Sequence, residues 1–358
     1  MARGALIAPP GTSGGETAEA RAGRDVVEAL RAKTLAVLGG LVPRHASCAL
    51  LDFPDYGNVG DSAIWLGEAA ALRALDARVA YACDARTYSA AALRARLPAG
   101  VILLTGGGNL GDLWERHQRF REQVIEAFPH LPVVQLPQTI HFRSPANLDR
   151  ARRVFRAHPD FTLLARDRRS LEVAERGLGV RTVLCPDMAL ALGRLDRPRR
   201  ARAGVVALAR SDVESAADLR RAIGDRVWCT DWIDDVDTLA TRATERLRTL
   251  ARRHPRGFGA LHRAVWLGYR RIARDRVRRG CRILSGGRVV ITDRLHGHIL
   301  SLMLGIPHVV LDNSYGKVRA FFETWTHSCG LARWADSPAH ALELARRLAL
   351  EDSLGGSR

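Results

Sequence analysis

Ten short apolar runs recur along the chain, each followed by polar residues and separated by helix-length segments. They are "SCALLDF" (47–53), "RVAYACD" (78–84), "VILLTGG" (101–107), "PVVQLPQT" (132–139), "FTLLARD" (161–167), "RTVLCPD" (181–187), "GVVALAR" (204–210), "RVWCTDW" (226–232), "RVVITD" (288–293) and "PHVVLDN" (307–313). Continuous apolar runs of this length are strands covered on both faces, and their alternation with amphipathic segments such as 62–75, 89–97 and 147–158 is the mark of a parallel sheet. The pattern is interrupted by the charged, proline-containing stretch "GRLDRPRRARAG" (193–204), which reads as a linker. The expected architecture is therefore α/β, with two Rossmann-like, doubly wound domains and a cleft between them. The expected boundaries are a flexible arm at 1–25, a first domain at 26–195, a linker at 196–203, a second domain at 204–350 and a tail at 351–358. The second domain carries a basic helical insertion at 241–287.

With 358 residues the chain is long enough for two cores. Its formal charge of +17 favours anionic company. Nearly every cation is arginine, with lysine only at 33 and 317, so the charge reflects composition more than a nucleic-acid code, and the interleaving of aromatic and basic residues that marks a single-strand platform is missing. Six dispersed cysteines contain no CxxC pair, which points to reduced buried thiols and away from a zinc ribbon. The N-terminal stretch has no signal-like apolar core, and no run reaches the roughly 18 apolar residues of a spanning helix. A cytoplasmic location is expected.

Ligands of doubly wound sheets bind beyond the carboxyl ends of the strands, and the polar clusters fall there. "GGGNLG" (106–111) satisfies G-x-G-x-x-G, but no acidic residue follows about 20 positions on, so dinucleotide binding is set aside. The alternatives are a glycine turn required by packing, or bare backbone N–H groups approaching an anion or sugar. In "NVGDSAIWLGEA" (58–69), Asp61 is read first as a helix N-cap and second as a reacting carboxylate. Arg166 in "LLARDRRS" is either a surface ion pair with Asp167 or a bidentate anion clamp. In "TDRLHGH" (292–298), Arg294 and His296 sit beside a helix start and suit a phosphate or carboxylate, with His296 able to move a proton. The bland reading of His296 is an N-terminal histidine satisfied by Asp293. His296 and His298 point to different sides of a helix, so no metal site is expected. Lys317, kept as lysine in an arginine-rich chain, suggests a need for a compact ammonium.

Taken in order, "GNVGDSAIWLGE", "LLTGGGNLGDLW", "VVQLPQTIHF", "ARDRRS" and "TDRLHGHILSLMLGIPHVVLDNSYGK" resemble the polysaccharide pyruvyl transferase family across residues 48–325. The resemblance implies two Rossmann-like domains in a GT-B-like arrangement. It also implies transfer of the pyruvyl group of phosphoenolpyruvate to a sugar as a ketal, with release of phosphate and without a metal or cofactor. It places donor binding on Arg166, Arg294, Leu295 and Lys317, and catalysis on His296 as proton donor and Asp61 on the sugar hydroxyl. Asn58, Gly107, Gly108, Asn109, Gln138 and His298 are candidates to line the cleft or meet the acceptor. A nucleotide-sugar glycosyltransferase and a basic nucleic-acid-binding protein are the competing readings. No family motif covers 241–287. There Leu261, Val265, Tyr269 and Ile272 form a helical stripe flanked by Arg263, Arg270, Arg274, Arg278 and Arg279. This stripe is read either as a helix packed on the second domain or as an interfacial helix on an anionic membrane, near a lipid-linked acceptor.

Overall fold

The computed structural model describes residues 18–212, 219–224, 227–233, 238–254 and 259–355. Helix α1 (Ala18–Gly39) leads into a first sheet of β1 (Ser47–Leu51), β2 (Arg78–Cys83), β3 (Val101–Leu104), β4 (Gly107–Gly111), β5 (Val133–His141), β6 (Phe161–Ala165) and β7 (Arg181–Leu184). Its helices are α2 (Val59–Ala74), α3 (Ala90–Arg96), α4 (Glu115–Ala127), α5 (Pro145–Ala157) and α6 (Arg168–Val173). A 3₁₀ helix at Met188–Leu192 precedes the second sheet of β8 (Ala203–Leu208), β9 (Trp228–Thr230), β10 (Gly287–Thr292), β11 (His308–Val310) and β12 (Ala332–Trp334). With it go α7 (Leu219–Ile223), α8 (Leu239–Arg253), α9 (Gly259–Leu284), α10 (Leu295–Met303), α11 (Lys317–Phe321) and α12 (Pro338–Gly355).

The first sheet runs β2-β1-β3-β5-β6-β7 with β4 added on β5, and the second runs β12-β11-β10-β8-β9. Every pairing is parallel. The apolar runs follow from this, because a parallel strand has no solvated face. Along β1, Cys48 and Leu50 enter one core while Ala49 and Leu51 enter the core on the opposite face. On β10, Val290 faces one cluster and Val289 and Ile291 another. Each such aliphatic side chain contributes roughly 1.5–3 kcal/mol when fully buried.

Three α-helices serve both sheets. Val27 and Leu30 of α1 join the core of α10, while Leu38 joins the core under β1. In α2, Val59 and Ala63 divide in the same way from Ile64, Trp65 and Leu72. The third is α9, and here the structure corrects the sequence reading. Val265, Tyr269, Ile272 and Ala273 bury in the core of the first sheet, not on the second, and Val277, Cys281 and Leu284 continue into the other cluster. Tyr269 stacks on Phe53 with ring centroids 4.1 Å apart, and its hydroxyl donates to Asp84 Oδ2 at 2.8 Å. The stripe proposed for a bilayer is thus already covered by protein. Arg263 and Arg271 are exposed, whereas Arg276 is buried and donates to the Pro54 carbonyl at 2.8 Å.

Other expectations also change. The arm expected at 1–25 is helical from Ala18, and residues 1–17 lie outside the described residues, as do Arg226 and 356–358, while 351–355 continue α12. "GGGNLG" is not a simple glycine turn, since Gly107–Gly111 form β4 and α4 begins only at Glu115. Gly111 has φ 129°, and a Cβ there would lie 1.8 Å from the His141 carbonyl oxygen, so glycine is required by the approach of two backbones. Five of the six free cysteines are buried, and Cys229 is half-buried. Among the described residues, no helix is long and apolar enough to cross a membrane.

Candidate active site

A cavity of about 570 Å³ opens where the carboxyl ends of strands from both sheets meet. Asn58, Asp61, Gly108, Asn109, Arg166, Arg294, Leu295, His296 and Lys317 line it, and all of them were singled out from the sequence. Gly107, Gln138 and His298 do not.

Asn58, not Asp61, is the N-cap of α2. Its Oδ1 accepts the Gly60 N–H at 3.0 Å, and its Nδ2 donates to Asp61 Oδ2 at 2.8 Å. Asp61 stands at the third helical position, past the cap, where its carboxylate accepts from the cap's own side chain and faces the cavity. Gly60 matters for a different reason: a Cβ there would lie 2.4 Å from His296 Nδ1, so the bare helix turn makes room for the imidazole.

Arg166 is 1 % exposed. Its Nε donates to Thr139 Oγ1 at 2.7 Å and its Nη1 to Asp187 Oδ2 at 2.9 Å. Its Nη2 would lie 2.9 Å from a Cβ on Gly108, with Tyr315 Oη at 3.7 Å and Lys317 Nζ at 3.8 Å from the same point. The glycine therefore clears the space where an arginine, a tyrosine and a lysine converge. The Arg166 reading as a pair with Asp167 is overturned, because the Asp167 carboxylate accepts from Ser170 N–H and Thr139 Oγ1 instead.

On the opposite wall, Arg294 Nη2 donates to Asp231 Oδ2 at 2.6 Å and contacts Asp212 Oδ2 at 3.3 Å. Arg210 grips the same Asp212 through Nε and Nη2, both at 2.8 Å. The Arg294 Nε is buried without a hydrogen-bond partner among the described residues. Asp293 does not satisfy His296. Its Oδ1 accepts the Arg210 N–H at 2.9 Å, and burial pushes its carboxyl up to about 6 although that bond and two guanidinium groups oppose the shift. The carboxylate beside His296 is Asp187, whose Oδ2 lies 3.4 Å from Nε2, a distance of charge attraction without hydrogen-bond alignment. Asp187 is fully buried. Burial opposes its ionisation, yet His296, Arg166 and the Ala189 N–H hold its carboxyl well below the usual range.

The residues that miss the cavity support it from behind. Gln138 is buried, accepts the Asn109 N–H at 3.1 Å and donates to Thr105 O at 3.0 Å and Asn109 Oδ1 at 2.9 Å. Gly107 is buried beneath the same segment. Glu68 accepts the Gly106 N–H at 2.8 Å, and burial pushes its carboxyl up to about 8. His298 lies inside the second core, bonded to His308 and Thr326, because it is two positions past His296 on a helix and so faces another side.

Sequence reasoning missed Asp187, Arg210, Asp212, Asp231 and a second imidazole, His117, whose Nδ1 lies 2.7 Å from Asp52 Oδ2. Asp52 has φ 74°, a strained conformation for a non-glycine residue. Asp52, Asp187 and Arg210 all stand at the ends of recognised apolar runs, so extending the strand-end rule to single residues would have found them.

The chain belongs to the polysaccharide pyruvyl transferase family, whose model matches residues 58–315. It is 33% identical to "Pyruvyl transferase 1" of Schizosaccharomyces pombe (strain 972) over 317 residues, covering 83% of this chain and 74% of that protein. It is 30% identical to "Putative pyruvyl transferase EpsO" of Bacillus subtilis (strain 168) over 287 residues, 80% of this chain and 87% of that one. Among solved structures, an uncharacterised Klebsiella pneumoniae protein aligns with a TM-score of 0.56 at 18% identity, over 86% of this chain and 99% of its own, a likeness of fold.

Proposed function

We propose that this protein transfers the pyruvyl group of phosphoenolpyruvate to two hydroxyls of a saccharide, forming a ketal and releasing phosphate. The observation that carries the reading is one cavity lined by Arg166, Arg294, Lys317, His296 and Asp61 in a chain of this family. Phosphoenolpyruvate bears a phosphate and a carboxylate on one carbon, and two guanidinium groups on facing walls, with an ammonium beside one of them, fit that charge. The two parallel-sheet units are taken to sit in a GT-B-like arrangement, with the donor between them.

His296 gives a proton to the methylene carbon, which becomes the methyl group. The neighbouring carbon then takes positive character, and a sugar hydroxyl attacks it while Asp61 receives that hydroxyl's proton. A second hydroxyl displaces phosphate from the same carbon, its proton leaving with the phosphate, and the proton on Asp61 restores His296. Positioned acid catalysis of this kind typically contributes about 10²- to 10⁴-fold. Lys317 and Arg166 hold the phosphate as charge builds on it. The protein itself supplies this charge and proton traffic, so no cofactor enters the scheme.

The acceptor is proposed to be a cell-surface or exopolysaccharide glycan or its lipid-linked precursor. The test is mass spectrometry of host surface glycans with and without the protein. A pyruvate-sized increment that depends on the protein supports the reading, and unchanged glycans together with no binding of phosphoenolpyruvate by calorimetry overturn it.

A further inference from the structure

We propose that Asp187 is the positioning residue of this site, holding Arg166 of one wall and His296 of the other around a single carboxylate oxygen, and that its fixed negative charge sets how tightly the cavity takes an anion. The inference rests on the reading that the cavity binds an anionic donor.

The arrangement is specific. Asp187 Oδ2 meets Arg166 Nη1 at 2.9 Å and His296 Nε2 at 3.4 Å, while Oδ1 accepts the Ala189 N–H at 2.9 Å. The carboxylate is therefore fixed by its own 3₁₀ turn, and each remaining contact goes to a different sheet: Arg166 ends β6 and His296 begins α10 after β10. The turn cannot retreat, because it lies directly on α2, where a Cβ on Gly67 would be 1.8 Å from the Met188 carbonyl oxygen. Asp187 thus connects the helix that carries Asp61, the guanidinium of the first wall and the imidazole of the second.

The electrostatic consequence follows. Besides Arg210 and Arg294 on the other wall, Arg166, Lys317 and a protonated His296 bring further positive charge to one small cavity, and like charges a few ångströms apart repel. An internal carboxylate offsets that repulsion when the cavity is empty. It also repels a bound anion, so donor binding stays reversible and product phosphate can leave. A purely structural Asp187 predicts that its replacement loosens the site. A charge-setting Asp187 predicts the opposite for anions.

The experiment is calorimetric titration of phosphoenolpyruvate, and separately of inorganic phosphate, into wild-type protein and Asp187→Asn at low salt. Asparagine keeps the shape and one acceptor oxygen, for the Ala189 N–H, while its NH2 replaces the oxygen that faced Arg166 and His296, so the charge is removed. Asp187→Ser, which also retains an acceptor for the turn, serves if the asparagine variant does not fold. Binding of both anions should tighten by about fivefold to thirtyfold, with phosphate dissociating more slowly. Unchanged or weaker binding in the folded variant overturns the proposal. Wild type that binds phosphate but not phosphoenolpyruvate, with the variant tighter for phosphate, overturns the donor assignment and leaves the role of Asp187 standing. Wild type that binds both, with no tightening in the variant, does the reverse. Wild type that binds neither overturns both.

Discussion

His298 Nδ1 and His308 Nε2 lie 2.7 Å apart in the core of the second sheet, the middle link of a chain that starts at Thr326 and ends at the Ile306 carbonyl. The pattern fixes every proton if both rings are neutral. His308 Nδ1–H donates to Ile306 O, so its Nε2 must accept; His298 Nδ1–H donates to it, and His298 Nε2 accepts from the Thr326 hydroxyl. Burial lowers both imidazoles, His308 to about 4, and each also opposes the charge of a neighbour.

This pair predicts a stability change with pH. The unfolded histidines bind protons near pH 6.5, and the folded ones do so only at lower pH. The folded state therefore keeps its full contribution above about pH 6.5 and loses it as pH falls toward about 4, at up to roughly 1.4 kcal/mol per histidine per pH unit. Chemical denaturation from pH 7.5 to 5 checks this. If His298→Leu/His308→Leu retains the same acid slope as wild type, the source lies elsewhere.

Arg166→Lys and Arg294→Lys should each weaken phosphoenolpyruvate binding about tenfold or more. Arg166 uses Nε and Nη1 on Thr139 and Asp187 and still has Nη2 toward Gly108, a division that one ammonium cannot reproduce. Calorimetry decides it, and unchanged affinity in both variants removes them from the donor site.

His296→Gln should lower turnover by orders of magnitude while donor affinity stays within a few-fold, the pattern of a group needed for chemistry. Wild-type protein in heavy water should place deuterium in the product methyl group. Near-normal turnover of the variant points to another acid.

Gly60→Ala offers a finer probe of the same imidazole. In a solvated helix alanine would stabilise by about 0.5–1 kcal/mol, but here its Cβ would lie 2.4 Å from His296 Nδ1. Turnover should fall while the helix stays folded, as circular dichroism would report. Wild-type activity would show that the ring moves aside without cost.

Tyr269→Ala tests the corrected position of α9. The ring stacks on Phe53 and lies edge-on to Trp65, and its hydroxyl binds Asp84, so its loss should cost about 3–5 kcal/mol. A helix lying free for a membrane would lose almost nothing, and a denaturation midpoint separates the two.

Much of this protein could be read from one dimension. Apolar runs such as Val101–Leu104 can only be strands covered on both faces, so the parallel sheets and the convergence of their carboxyl ends followed from the pattern alone. Arg166, Arg294, His296 and Lys317 were legible for the same reason, as strand-end cations. Tertiary structure decided what lies against what. The partner of His296 is Asp187, more than a hundred residues away, and not the adjacent Asp293, because strand ends distant in sequence are brought together only when the two sheets pack. His298, as polar as His296 on paper, went to the core because successive helical residues turn by about 100°. The stripe of α9 could be recognised as apolar, but hydrophobic periodicity says only that a face must be covered. Phe53, Trp65 and the first sheet, not a membrane, provide the cover, and that assignment depends on shape, which no local pattern encodes.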